Sequence, residues 1–159
     1  MNVLIFGPPG AGKGTQAHNI VKKYNLHQIS TGDLLRNEVK NKTDIGKDIE
    51  HIISKGDFAT DEIVNELIKK IIFDPSKKNR LIFDGYPRSI NQAKNLDLLL
   101  NQSNQKIDFI FFLNVNKNTI IQRIEKRKII EKRSDEELDT ILKRYETYME
   151  NTKPVLNYY

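Results

Sequence analysis

Gly7-Pro8-Pro9-Gly10-Ala11-Gly12-Lys13-Gly14-Thr15 directly follows the apolar run Val3-Leu4-Ile5-Phe6 and leads into a helical pattern over Thr15–Tyr24. The interval from Gly7 to Gly12-Lys13 is that of a P-loop. Its glycines let the backbone curl until successive N–H groups face phosphate oxygens, and the following helix adds its positive N-terminal end. Lys13 supplies a mobile point charge for the outer phosphates. Gly10, Ala11, Gly12, Lys13, Gly14 and Thr15 are therefore the candidate donor-nucleotide residues. The generic pattern places Ser or Thr directly after the lysine, whereas here Gly14 intervenes before Thr15. A dinucleotide fingerprint needs a different glycine spacing. A nucleoside triphosphate is the expected ligand.

Outward from this loop, strands and helices alternate. Strands are predicted at Val3–Phe6, Gln28–Ser30, Leu81–Phe83 and Phe109–Val115. Helices are predicted at Thr15–Tyr24, Asp33–Lys40, Ile45–Lys55, Asp61–Ile72, Ile90–Asn101, Asn118–Arg127 and Asp135–Glu150. Thr60, Ser89 and Ser134 stand at N-cap positions, and Glu137 completes a capping box with Ser134. The alternation predicts an α/β fold: one doubly wound parallel sheet of about four strands with helices on both faces, in three layers. Ligands of such sheets bind beyond the carboxyl ends of the strands.

The 159 residues form one expected domain and carry 26 Lys+Arg against 21 Asp+Glu, a net charge of +5. With no cysteine, a disulfide framework and any thiolate metal site are excluded. A composition of 38% hydrophobic and 30% charged residues is that of a soluble globular protein. The longest apolar run, Phe109–Leu113, is too short to cross a bilayer. The start, MNVLIFGPPG, lacks a basic region and a cleavage site, so a cytoplasmic location is expected. The basic residues do not form a patch interleaved with aromatics, which argues against nucleic acid.

Asp84 closes the third strand. A carboxylate there stands beside the P-loop and, with Thr15 nearby, suits magnesium held mainly through water. Read alone, Asp84 before Gly85 is also an ordinary turn aspartate. Two segments at the same sheet edge carry arginines: Ser30-Thr31-Gly32-Asp33-Leu34-Leu35-Arg36, and Asp84-Gly85-Tyr86-Pro87-Arg88 with Gln92 beyond. A guanidinium grips phosphate bidentately. Two of them opposite Lys13 point to a second anionic ligand. Thr31 alone also suits a helix cap, and Ser89…Gln92 a capping box.

These segments resemble the adenylate kinases of the nucleoside monophosphate kinase family, on Gly7–Gln16, Ser30–Arg36, Asp84–Arg88 and the later arginines. The Gly-Thr-Gln ending of the loop is the form this family uses. The resemblance implies reversible, magnesium-dependent phosphoryl transfer from ATP to AMP, giving two ADP. It implies that Thr31 and Gln92 read adenine, that Arg36 and Arg88 with Gly85, Tyr86 and Pro87 hold AMP, and that the backbone of Asp57, Phe58 and Ala59 touches its nucleoside. It places Arg123 and Arg127 toward ATP, and Arg133 and Arg144, counted with the AMP-binding residues, on the phosphates in the closed state. Lys13, Arg88, Arg123, Arg133 and Arg144 form the implied catalytic set. Without family context, these later arginines read as a solvated helix face paired with Glu125, Glu131, Glu136 and Glu137.

Only five residues separate Arg127 from Arg133, so the 127–133 loop looks like a short lid without zinc. The helical 30–70 segment is expected to close over the acceptor. Family members usually continue past Tyr158-Tyr159 into a fifth strand and a last helix. A strand as apolar as Phe109–Leu113 is not expected at an open edge. A monomer is expected. Two rivals stand beside the kinase: a P-loop hydrolase, and a nucleotide-binding protein of this fold with little catalysis. Asn41-Lys42-Thr43-Asp44 spells a guanine-reading pattern, but its place between two helices makes it a chance match.

Overall fold

Val3–Phe6 (β1) is buried along its whole length, as a strand with neighbours on both sides and helices over both faces must be. The computed structural model describes residues 1–54, 59–131 and 138–159. After β1 come Lys13–Tyr24 (α1), His27–Ser30 (β2), Thr31–Lys40 (α2), Asp44–Ser54 (α3), Asp61–Ile72 (α4), Leu81–Asp84 (β3), Ile90–Gln102 (α5), Phe109–Phe112 (β4), Lys117–Glu131 (α6) and Leu138–Thr147 (α7). The four strands are parallel in the order β2-β3-β1-β4. Ile5 stands opposite Asp84, and Ser30 opposite Asp84 on its other side, so the carboxyl ends finish level.

Alternation along β1 builds the layers, because successive side chains point to opposite faces. Leu4 and Phe6 enter a core with Ile29, Leu81 and Phe83, closed by Val64, Ile68 and Ile72 of α4 and Ala93, Leu96 and Leu100 of α5. Val3 and Ile5 enter the opposite core with Ile82, Leu26 and Ala17 of α1. Ile120 and Ile124 of α6 meet Ile141 of α7 in a third, smaller cluster. The expected three-layer parallel architecture is the one observed. No described helix is long and apolar enough to cross a membrane.

Several local expectations are corrected. Helix α1 begins at Lys13 instead of Thr15, directly after Gly12 in a left-handed conformation. Ser30, not Thr31, caps α2, its hydroxyl accepting from the Asp33 N–H. Thr60 precedes α4 without making a side-chain cap bond. Strand β4 stops at Phe112, three residues short of Val115. Helix α7 gives way at Tyr148 to a π turn, Tyr148–Thr152. Ser134 and Glu137 lie outside the described residues.

The largest departure concerns β4. It pairs with β1 at the edge of the sheet, and Phe109, Ile110, Phe111 and Phe112 are 53%, 38%, 44% and 45% exposed. The expectation that so apolar a strand lies covered is not met among the described residues.

Candidate active site

A cleft of about 1180 Å³ opens beyond the carboxyl ends of β1 and β3. Its first wall is the glycine loop. Gly10 has φ +76°, and a Cβ there would come within 2.8 Å of Ile124 Cγ1, so only glycine lets the loop lie against α6. Lys13 Nζ donates to the carbonyls of Gly7 (2.8 Å) and Pro8 (3.0 Å), which folds its ammonium across the loop. From α6, Arg123 Nη1 donates to the Ala11 carbonyl at 3.0 Å, fixing a second cation to the same wall. Gly12, Gly14 and Thr15 line the cleft as expected.

Asp84 forms the floor between the walls. Gln28 Nε2 donates to its Oδ2 at 3.0 Å, and a Cβ on Gly14 would lie 3.7 Å from that oxygen, so the carboxylate faces the first turn of α1. Burial pushes the Asp84 pKa up, against the opposing pull of Lys13 and the Gln28 hydrogen bond. Among the described residues, no group of three His, Cys, Asp or Glu side chains converges as a metal cage.

The second wall is organised around one carbonyl. Thr31 Oγ1 donates to Gly85 O at 2.8 Å and Arg88 Nε donates to the same oxygen at 2.7 Å. Gly85 has φ +80°, and a Cβ there would stand 3.0 Å from Thr31 Oγ1 and 3.1 Å from Arg88 Nη2. Glycine is thus required where these two side chains meet. Burial above all, with the neighbouring Arg144 and Arg36 and against the opposing pull of Asp84, lowers the Arg88 pKa to about 10. Arg88 is therefore still cationic at neutral pH. Arg36 pairs with Asp33, and Arg36, Arg88 and Arg144 all line the cleft.

A small side pocket of about 40 Å³ adjoins this wall, lined by Thr31, Leu35, Ala59, Val64 and Gln92 among others. The capping-box reading of Gln92 is half right. Ser89 Oγ accepts from the Gln92 N–H at 3.1 Å, but the Gln92 side chain turns elsewhere. Its Oε1 accepts from the Arg88 main-chain N–H (2.7 Å), and its Nε2 donates to Asp61 Oδ1 (2.6 Å). Tyr86 lines the cleft, but its hydroxyl points into the fold, donating to Asn65 Oδ1 at 2.7 Å. Pro87 follows it through a cis peptide bond.

The structure brings together the loop, Asp84, Thr31, Arg36, Gly85–Arg88, Arg123 and Arg144, with Ala59 and Gln92 in the side pocket. Asp57, Phe58 and Arg133, and the side chain of Arg127, lie outside the described residues. Asn41–Asp44 lines neither the cleft nor its side pocket. Thr43 there accepts from Gly46 N and donates to Glu38, the work of a turn between helices. Sequence reasoning missed Gln28, Asp61, Tyr148 and Thr152. Tyr148 and Thr152 follow Arg144 at intervals of four, a periodicity that identifies the face they share.

A family model described as adenylate kinase matches residues 5–159. The adenylate kinase of Pelagibacter ubique is 48% identical over 185 aligned positions, covering 100% of this chain and 87% of that protein. That of Mycoplasma capricolum is 36% identical over 186 positions, covering 100% and 86%. That of Parabacteroides distasonis is 40% identical over 159 positions, covering 100% and 84%. The first two alignments exceed the chain's own 159 residues, so those relatives carry stretches that this chain lacks. The Parabacteroides alignment has no such excess, which suits a short form of the same architecture. With a P-loop facing an arginine wall across one cleft, and with matches of this extent, the chain belongs to the adenylate kinase family.

Proposed function

We propose that this chain transfers the γ-phosphoryl group of ATP to AMP, forming two ADP, with the roles of its residues assigned as follows. The observation that carries the reading is the opposition, in one cleft, of Lys13 and the loop to Arg36, Arg88 and Arg144. The amides of Gly10–Thr15 and Lys13 hold the donor phosphates. Arg36 and Arg88 grip the acceptor phosphate. The side pocket takes adenine, with Thr31 and Gln92 at its polar side, and the backbone of Asp57, Phe58 and Ala59 contacts the nucleoside. That phosphate is already an anion, so no general base is needed, and catalysis is positioning plus neutralisation of charge. Arg123 and Arg144, joined by Arg127 and Arg133, surround the transferring group.

Asp84, a single hard carboxylate facing the head of α1, fits a cation that keeps most of its water and takes its other ligands from phosphate. Thr15 adds a hydroxyl nearby. Magnesium bound there with ATP would neutralise charge developing on the phosphoryl oxygens. The whole 1–159 chain acts as one kinase domain, a monomer in the cytoplasm. Its helical 30–70 segment closes over AMP, and the short 127–133 segment, which starts within the end of α6 and not in a loop, closes over ATP without zinc. Closing excludes water, which would otherwise accept the phosphoryl group. Neither nucleic acid nor membrane enters this reading.

The test is an ADP-formation assay with Mg-ATP and each of AMP, CMP, UMP and GMP. ADP formation with AMP well above the other three is the expected result. Hydrolysis of ATP at the same rate without any monophosphate would replace the kinase reading by the hydrolase one.

A further inference from the structure

Tyr148 opens the π turn that ends α7, an interruption of the kind that concentrates at functional sites. The residue is only 6% exposed and lines the cleft with Arg88, Arg144 and Thr152. Its neighbours at intervals of four both lie at the acceptor wall. Thr152 Oγ1 donates to the Arg88 carbonyl at 3.0 Å, and Arg144 acts electrostatically on Arg88. Among the described residues, the Tyr148 hydroxyl is the one buried side-chain polar atom with no hydrogen-bond partner. Tyr86, comparably buried, has its hydroxyl satisfied by Asn65.

A buried hydroxyl without a partner destabilises a fold, and such an atom calls for an explanation. Burial lifts the Tyr148 pKa to about 12, so the group is a neutral phenol with a proton to donate. The cations around it offer nothing to receive that proton, because guanidinium groups are donors only. The acceptor must carry oxygen lone pairs and suit a cationic wall. We propose that the Tyr148 hydroxyl contacts substrate, donating a hydrogen bond to the phosphate of the acceptor nucleotide when the cleft fills. The proposal rests on the phosphoryl transfer set out above and adds to it a neutral donor among the arginines.

The prediction has two opposite signs, which a merely structural tyrosine would not produce. In Tyr148→Phe no bond of the free protein is lost, so the melting temperature without ligand stays the same or rises. The KM for AMP rises about tenfold, the scale of one hydrogen bond to a charged group, while the KM for ATP is unchanged. Adenosine, which lacks the phosphate, inhibits variant and wild type equally. In the wild-type protein, the Tyr148 hydroxyl-proton resonance shifts on adding AMP and not on adding adenosine, a readout independent of whether the variant folds. A variant with the wild-type KM for AMP overturns the proposal, as does one whose ligand-free melting point falls by several degrees. A wild-type chain that forms no ADP refutes the kinase reading instead, so the two failures are distinguishable.

Discussion

Arg88 is held through Nε to the Gly85 carbonyl of its own loop and through its main-chain N–H to the Gln92 side chain of α5. The guanidinium is thus preorganised as a planar fork, and a lysine there keeps the charge but not the geometry. Arg88→Lys is expected to lower the rate of ADP formation by on the order of 10²–10³, the scale of one lost transition-state donor, with little change in the thermal melt. Asp84 behaves differently because burial raises its pKa. Between the unfolded carboxylate value and that raised value the native state binds more protons than the unfolded one, so stability falls as pH rises through this window. Asp84→Asn removes the charge and keeps an oxygen for the Gln28 amide. The variant is expected to be more stable than wild type at neutral pH, to lose this contribution to the pH slope in urea titrations, and to lose on the order of 10² in turnover with magnesium. This is the pattern of a site whose strain serves function.

At the scale of elements, two polar staples join α4 to α5, spaced one helical turn apart. Asp61 receives the Gln92 amide and, at 3.3 Å, the Ser89 hydroxyl. Asn65 receives the Tyr86 hydroxyl, to which Asn95 also donates at 3.4 Å. Removing one hydroxyl therefore orphans groups on both helices. Tyr86→Phe is expected to cost about 1–2 kcal/mol in urea denaturation. Adding Asn65→Leu should then cost less than it does in the wild-type background, since the orphaned acceptor goes with it.

These staples also mark where the chain's own pattern stopped being informative. The glycine loop was legible because its chemistry is contiguous, from the strand at Val3 to the helix at Lys13. The layers were legible because β-branched strands alternate with periodic helices. Gln92 was ambiguous because its partner, Asp61, lies 31 residues away, and no local spacing announces it. Arg123 looked like a solvated charge until α6 packed on the loop and brought it to Ala11, 112 residues distant. Thr31 misled in the same way: the neighbouring Ser30 took the cap, which left Thr31 to meet Gly85.

For the whole molecule, the exposed edge is the chief liability. Among the described residues the outer edge of β4 pairs with no further strand and is flanked by exposed apolar side chains, which makes it a template for pairing with other chains. The net charge of +5 opposes such association by repulsion that salt screens. Light scattering is therefore expected to grow with protein concentration and with added salt. Ile110→Lys, which does not line the cleft, should suppress that growth while ADP formation continues.

The donor loop hangs from β1 and the acceptor floor from β3, and these strands pair directly with Ile5 opposite Asp84. Adjacent strands sit about 4.8 Å apart, a span comparable to the width of a single phosphate group. On the proposed assignment of donor and acceptor, the sheet would serve as a ruler. An acceptor with no phosphate would leave its reacting atom short of the donor. On that reading the donor–acceptor distance is a property of backbone pairing, and swapping side chains around the nucleobase should change which base is accepted while the forward reaction still requires a monophosphate.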